Sequence, residues 1–153
     1  NDELKKYKFI LTLEEDNAPP ADGLVKLYES IDEYDAVGGL YWTKGDAGQP
    51  MCYGNPSEMP MNFIPQVPVP DTITECNGLG MGFTLFRTEM FKDKRFTYGE
   101  WFKTKQEVTP EGQVQVFTQD LWFFQRAREY GYKMACDSRV RVGHYDHQAQ
   151  IMW

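Results

Sequence analysis

Two acidic residues with metal-ligand spacing directly follow the first hydrophobic segment of the chain. The segment "FILTL", residues 9–13, leads at once into Glu14, Glu15 and Asp16. Residues two apart on an extended backbone point to the same face, and carboxylate oxygens are the ligands that Mg²⁺ and Mn²⁺ prefer. The stretch therefore predicts a divalent-cation site formed by Glu14 and Asp16. A solvated acidic loop that precedes a helix is the alternative.

Two residues in the second half of the chain could also take part in chemistry. Asp120 falls in the first turn of a predicted helix, where the helix dipole favours an anion and where a carboxylate could serve as a general base. His144 follows a predicted strand, and a neutral imidazole is a good ligand for a transition metal. A simple helix-start residue and a surface histidine are the respective alternatives.

A glycine-rich segment, "NGLGMGF", occupies residues 77–83. Its glycines, Gly78, Gly80 and Gly82, have spacing like that of a dinucleotide fingerprint, but they lead into a strand-like run instead of a long helix. We therefore expect these glycines to permit close approach of the backbone to a ligand.

The elements that must position these residues alternate between strands and helices. Strands are predicted at 7–13, 36–42, 72–76, 81–86, 113–117, 134–136 and 140–142, and helices after Pro20, at 88–91 and from 119 to a stop at Gly131. A strand, a helix and a strand in the first 42 residues indicate a parallel sheet, with the apolar run 7–13 as a central strand. Residues 43–70 contain six prolines and predict a long irregular loop, expected to be a mobile lid or binding loop.

Composition narrows the class of protein. The chain has 153 residues, enough for one domain with a hydrophobic core. A net charge of −7 argues against nucleic acid as a partner, and no apolar run is long enough to span a membrane. Three widely spaced cysteines favour buried thiols in a reducing, cytoplasmic setting over disulfides or a zinc site.

The order of these motifs carries more information than any one of them. The series "LEEDNAPP", "AVGG", "NGLGMGFTLFRTEMF", "EWF" and "TQDLWFFQRAREYGYKMACDSRVRVGH" resembles a glycosyltransferase of the GT-A fold, of the family-2 type. The resemblance implies an α/β fold with a mixed sheet flanked by helices. It also implies that residues 1–153 form a single domain, the metal, acceptor and base part of such an enzyme. The nucleotide-binding half that normally precedes it is expected to be missing, or supplied by an oligomer or another chain.

The resemblance also assigns roles to individual residues. Glu14, Asp16 and His144 take the place of the ligands to Mn²⁺ or Mg²⁺, with Asp16 the strongest candidate. Asp120 takes the place of the catalytic base. Gln119, which stands where the family often has Glu, is expected to contact the substrate.

Further residues are assigned to the substrate by the same resemblance. Asn77, Gly78 and Gly80 resemble the loop that lines the sugar and acceptor site. Trp101 and Phe102 could stack on sugar faces, and packing in the core is the alternative for each.

The reaction implied is transfer of a sugar from a nucleotide-sugar, a UDP-sugar above others, to a carbohydrate or other hydroxyl acceptor. A single displacement would invert the anomeric configuration. Two alternatives remain at this point: a non-catalytic sugar- or metal-binding remnant of the same fold, and a hydrolase using Asp16 and Asp120 as a carboxylate pair.

Overall fold

The computed structural model describes residues 3–96, 101–108, 112 and 114–153. Twelve strands occur in these ranges: β1 Phe9–Leu13, β2 Asn17–Ala18, β3 Ala36–Leu40, β4 Cys52–Tyr53, β5 Ile73–Cys76, β6 Gly78–Leu79, β7 Phe83–Arg87, β8 Lys105–Val108, β9 Val114–Phe117, β10 Met134–Arg141, β11 Gly143–Asp146 and β12 Ile151–Met152. The α-helices there are α1 Gly23–Ser30, α2 Glu89–Lys92 and α3 Gln119–Glu129, with 3₁₀ turns at Glu3–Lys6 and Ile31–Glu33.

A five-stranded mixed sheet forms the centre of the fold. Its strand order is β1-β7-β3-β10-β5. The β3–β10 pairing is parallel and the other three pairings are antiparallel. The predicted parallel sheet is thus partly wrong, because β7 returns from far along the chain and separates β1 from β3. The strands β1, β3 and β10 still run in the same direction, so their carboxyl ends share one edge of the sheet.

The sequence had predicted β1 as a central strand, but β1 lies at one end of the described sheet. Within the described ranges it pairs with β7, and its Leu11 and Leu13 are 37% and 56% exposed. A continuous apolar run does not by itself distinguish a central strand from an edge strand whose outer face is apolar.

Hydrophobic side chains cover both faces of the sheet, because successive residues of a strand point to opposite sides. On one face Leu27 of α1 and Ile31 pack with Val37. On the other face Phe86 packs with Phe123 of α3. The helices α1 and α3 therefore pack on opposite faces of the central sheet.

The predicted buried stripe of α1 is confirmed only in part, whereas the predicted bounds of α3 are confirmed. Leu27 and Ile31 of the predicted stripe are buried, but Leu24 and Tyr28 are about half exposed. The helix α3 begins at Gln119 as predicted, and Gly131, at φ +89°, lies just beyond its end, in the left-handed conformation that favours glycine.

The proline-rich segment 43–70 is largely irregular, as predicted, but it is tied to the body of the protein. Its short strand β4 pairs with β6, and the Gln66 N–H donates to the Cys52 carbonyl over 2.9 Å. The mobility of this segment stays a prediction.

The two predicted C-terminal strands are one strand, β10, with a register shift between Asp137 and Arg141. Gln113, predicted to begin a strand, and Glu100 of the "EWF" motif lie outside the described residues. In the described part of the chain, no helix is both long and apolar enough to cross a membrane. The three cysteines are buried and free.

Candidate functional site

Backbone pairing brings the two ends of the chain together at the edge where β1, β3 and β10 finish. The Glu14 N–H donates to the Gly82 carbonyl over 3.1 Å, and the Tyr145 N–H donates to the Asp16 carbonyl over 2.7 Å. In the β2–β11 pairing, Asn17 lies opposite His144. The acidic turn and the C-terminal histidine, far apart in sequence, therefore become neighbours.

Asp16 is the centre of a compact charged cluster. Its Oδ2 lies 3.5 Å from His144 Nε2 and 2.5 Å from Lys44 Nζ. The hydrogen bond from Lys44 holds the pKa of the Asp16 carboxyl below its usual value, against the opposing effect of burial. Asp16 is thus kept ionised, as a cation ligand must be.

The orientation of the His144 ring is fixed by the main chain. Its Nδ1 lies 2.7 Å from the Trp42 carbonyl oxygen, which can only accept, so Nδ1 carries the hydrogen. In the neutral ring the lone pair is then on Nε2, the atom that faces Asp16. A backbone carbonyl that holds the far nitrogen in this way is the usual support of a metal-ligating histidine.

The pair Asp16 and His144 fits part of a divalent-cation site. Ligand atoms about 2.0–2.2 Å from one ion lie about 3 Å or slightly more from each other, close to the separation in this pair. A mixed oxygen and nitrogen donor set suits Mn²⁺ better than Ca²⁺. Throughout the described residues, however, no three histidine, cysteine or acidic side chains are gathered with metal-site geometry. The third predicted ligand, Glu14, lines the adjoining cleft.

This cleft brings together residues that are far apart in the sequence. It has a volume of about 560 Å³ and is lined by Thr12, Glu14, Met81, Phe102, Thr104, Thr118, Gln119 and Asp120. Three of the residues singled out in the sequence, Glu14, Gln119 and Asp120, thus share one cavity. Asp16 is not among the described residues that line it, so the carboxylates of the cleft lining are those of Glu14 and Asp120.

Asp120 is anchored at the start of α3. Its Oδ1 accepts hydrogen bonds from the Leu121 N–H, at 2.9 Å, and from the Thr118 hydroxyl. Thr118 itself has an extended backbone at the N-cap. The carboxylate is therefore held in one position at the positive end of the helix dipole.

Glu14 experiences the negative charge of the site. Burial raises the pKa of its carboxyl, and the charges of Asp16 and Asp120 raise it further. Lys44 and His144 oppose this rise without cancelling it, so the part of the cleft next to Glu14 favours a cation or a proton.

The glycine segment permits close packing beneath the acidic turn. The Gly82 N–H donates to the Tyr41 hydroxyl over 2.8 Å. A Cβ added at Gly80 would overlap the same hydroxyl, and one added at Gly82 would overlap the Asn17 side-chain oxygen. The glycines are therefore required for the approach of protein side chains, whereas the sequence had suggested approach to a ligand.

Three other predicted substrate residues have structural contacts. Asn77 is buried and its Nδ2 donates to the Asn62 carbonyl over 2.9 Å. Gly78 lies against Phe63, and Trp101 meets Phe91 edge-on in the aromatic core. Among the described residues, none of Asn77, Gly78 and Trp101 lines the cleft, and a role for them in substrate binding stays a prediction.

Sequence reasoning missed Lys44, Tyr41 and Asn17. Asn17 is nine-tenths buried, and neither polar atom of its side chain has a hydrogen-bond partner among the residues that the structure describes. Lys44 follows β3, whose carboxyl end shares an edge with that of β1, so the strand prediction could have placed a lysine near Asp16. The contact between Tyr41 and the glycine segment has no local signal in the sequence.

The fold has a counterpart among solved structures. No protein-family model and no curated protein matches the chain. The structure described as "Crystal Structure of A197 from STIV" matches with a TM-score of 0.63 and 20% sequence identity, over 98% of this chain and 67% of that chain. At this identity the likeness concerns the fold alone. The protein is thus a mixed α/β protein with a mixed sheet and few helices.

Proposed function

We propose that this protein is a glycosyltransferase of the GT-A fold that transfers a sugar from a nucleotide-sugar to a hydroxyl acceptor. The observation that carries the proposal is the single cleft shared by Glu14 and Asp120 beside the Asp16–His144 pair. Two side chains suited to hold a cation, Asp16 and His144, thus lie beside a cleft that contains a fixed carboxylate, Asp120. A metal-assisted, inverting transfer of a glycosyl group from a diphosphate uses both.

Asp120 acts as the general base in this proposal. Its Oδ1 is engaged by the Leu121 N–H and the Thr118 hydroxyl, so the carboxylate has a fixed direction towards the cleft that it lines. It accepts the proton of the acceptor hydroxyl as that oxygen attacks the anomeric carbon. A single displacement of this kind inverts the anomeric configuration.

Asp16 and His144 would hold the divalent cation, Mn²⁺ or Mg²⁺. When bound, the cation supplies charge neutralisation for the departing diphosphate. The chain's own contribution is the ionised Asp16 carboxylate and the Nε2 lone pair of His144, oriented by the Trp42 carbonyl. Glu14, on the cleft side of the same turn, adds negative charge that favours a cation there.

Phe102 is the aromatic residue best placed to contact a sugar. It lines the cleft and is 41% exposed, and it also stacks on Phe123 of the core. An aromatic ring packed on one face and open on the other is a suitable platform for the apolar face of a sugar.

A second candidate is a non-catalytic module of the same fold that binds a sugar or a metal. Two observations favour it: Gln119 stands where the resemblance expects Glu, and the described residues contain no three-ligand metal group. This candidate predicts binding of UDP or Mn²⁺ without turnover.

Replacement of Asp120 by Asn tests the base. The variant keeps the size of the side chain and loses the ability to take a proton, so we expect transfer or hydrolysis of UDP-sugars in Mn²⁺ to fall by about 10²–10⁴-fold. Release of UDP is measured for wild type and D120N, and circular dichroism verifies the fold.

The matched control is Glu89→Gln, which also removes a carboxylate from the first turn of a helix, α2. This control should retain wild-type activity. D120N activity within threefold of wild type removes Asp120 from the base role. A wild-type protein that binds UDP but never releases it from a UDP-sugar supports the non-catalytic candidate.

A further inference from the structure

Lys44 already holds a positive charge at the position where the proposed function requires a cation. Its ammonium lies 2.5 Å from Asp16 Oδ2, the same oxygen that His144 Nε2 faces at 3.5 Å. The lysine side chain is 31% exposed and lies in the segment after β3. It therefore has open solvent on one side and the acidic turn on the other.

Lys44 and a divalent cation cannot both engage this oxygen in the same way. An ion held by Asp16 Oδ2 and His144 Nε2 must occupy space beside both atoms, and two positive charges in contact repel each other strongly in a partly buried site. Cation binding thus requires the ammonium to leave Asp16. A flexible four-carbon side chain allows this movement without a change in the backbone.

The displaced ammonium remains at the mouth of the site. A nucleotide diphosphate is a polyanion, and the primary amine of lysine is a general phosphate binder that acts as a point charge. With Asp16 committed to the cation, the diphosphate oxygens become the nearest strong acceptors for Lys44. The Lys44 side chain then pairs with Asp16 before the donor binds and with the diphosphate afterwards.

We propose that Lys44 is a displaceable counter-ion. It neutralises Asp16 in the metal-free protein, gives way when Asp16 and His144 bind a divalent cation, and then binds the diphosphate of the donor. The inference rests on the proposed function, since it takes a nucleotide diphosphate as the ligand of the site. In this proposal Lys44 controls the order of binding. A cation that binds alone must compete with Lys44 for Asp16, whereas a cation that binds together with the diphosphate does not, because Lys44 then contacts the diphosphate.

Replacement of Lys44 by Met tests both halves of the exchange with two binding measurements. Isothermal titration calorimetry with MnCl₂ alone should show about fivefold tighter binding in K44M than in wild type, because the competing ion pair is lost. Titration of UDP into the Mn²⁺-saturated proteins should show about tenfold weaker binding in K44M, because a charge-assisted contact is lost. Lys44→Arg keeps the positive charge and should resemble wild type in both titrations.

A matched control is available in α1. Lys26 forms an ion pair with Asp22 at 2.8 Å, and its side chain is 32% exposed, nearly the same as that of Lys44. Lys26→Met should change neither affinity.

The outcomes separate the exchange from the enzyme activity. Mn²⁺ affinity in K44M that equals or falls below that of wild type overturns the proposal, and so does unchanged UDP affinity. Failure of both wild type and K44M to bind Mn²⁺ overturns it together with the cation site. Both expected shifts in a protein that shows no sugar transfer would support the role of Lys44 and reject the proposed glycosyltransferase activity.

Discussion

Glu14 and Asp16 are separated by one residue but have opposite electrostatic surroundings. Burial and neighbouring acids raise the pKa of Glu14 above its ordinary value of 4.5. Lys44 lowers the pKa of Asp16 below its ordinary value of 3.8. In the same turn, the surroundings therefore disfavour the ionised form of the Glu14 carboxylate and favour the ionised form of the Asp16 carboxylate.

Glu14→Gln should stabilise the protein at neutral pH. Because the pKa of Glu14 is higher in the folded than in the unfolded chain, its favourable contribution is complete below pH 4.5 and is lost as the pH rises through the folded-state pKa. Urea unfolding should give E14Q a higher free energy of unfolding than wild type at pH 7, by less than about 1 kcal/mol because solvent screens the site. The difference should vanish near pH 4.

Asp16→Asn is the counterpart with the opposite sign. The lowered pKa of Asp16 contributes stability that is complete above pH 3.8 and lost as the pH falls through the folded-state pKa. D16N should thus be less stable than wild type at pH 7, and the gap should close in acid. Shifts of the same sign in E14Q and D16N would show that the charge assignments in this turn are wrong.

At the scale of elements, Gly80 and Gly82, which lie between β6 and β7, set how closely Tyr41 can approach. In Gly80→Ala the new Cβ would overlap the Tyr41 hydroxyl and lie 2.7 Å from the Met51 Cε. Overpacking of this kind costs about 1–3 kcal/mol. Urea unfolding should show a lower midpoint for G80A with an unchanged slope.

Gly143→Ala is the matched control. Its Cβ would lie 2.6 Å from the Met152 Sδ, but Met152 is about half exposed and its side chain can move aside. A greater loss of stability in G143A than in G80A would show that close packing of Gly80 against Tyr41 does not limit the stability of the protein.

The elements also explain which features the sequence could predict. The start of α3, the strands before Glu14 and before His144, and the irregular segment 43–70 all have local signals in periodicity, capping and proline content. The position of β7 between β1 and β3 has none, because strand neighbours far apart in sequence leave no local pattern. The pairing of Lys44 with Asp16 depends on that global arrangement, and so it emerged only from the structure.

At the scale of the whole molecule, a ligand of this site should bind the folded protein and not the unfolded chain. Asp16 and His144 come from opposite ends of the chain, so an unfolded chain cannot present them together. Mn²⁺ with UDP at 100 times its dissociation constant should stabilise the protein by about 2.7 kcal/mol, a rise in melting temperature of roughly 5–10 °C. Differential scanning fluorimetry should show a much smaller rise with Mn²⁺ alone.

Asp16→Ala provides the control, because it removes the central ligand of the proposed cation site. The rise with Mn²⁺ and UDP should be lost in D16A. An equal rise in D16A and wild type would show that the two ligands bind elsewhere.

No two adjacent strands of the central sheet are consecutive along the chain. During synthesis, β1 has to wait for β7, and β3 cannot complete its pairing until β10 has left the ribosome. His144, which follows β10, emerges only after every strand of the central sheet. The nascent protein therefore acquires the proposed ligand site only after all five strands of the central sheet have been made, and a product terminated before His144 would lack that site.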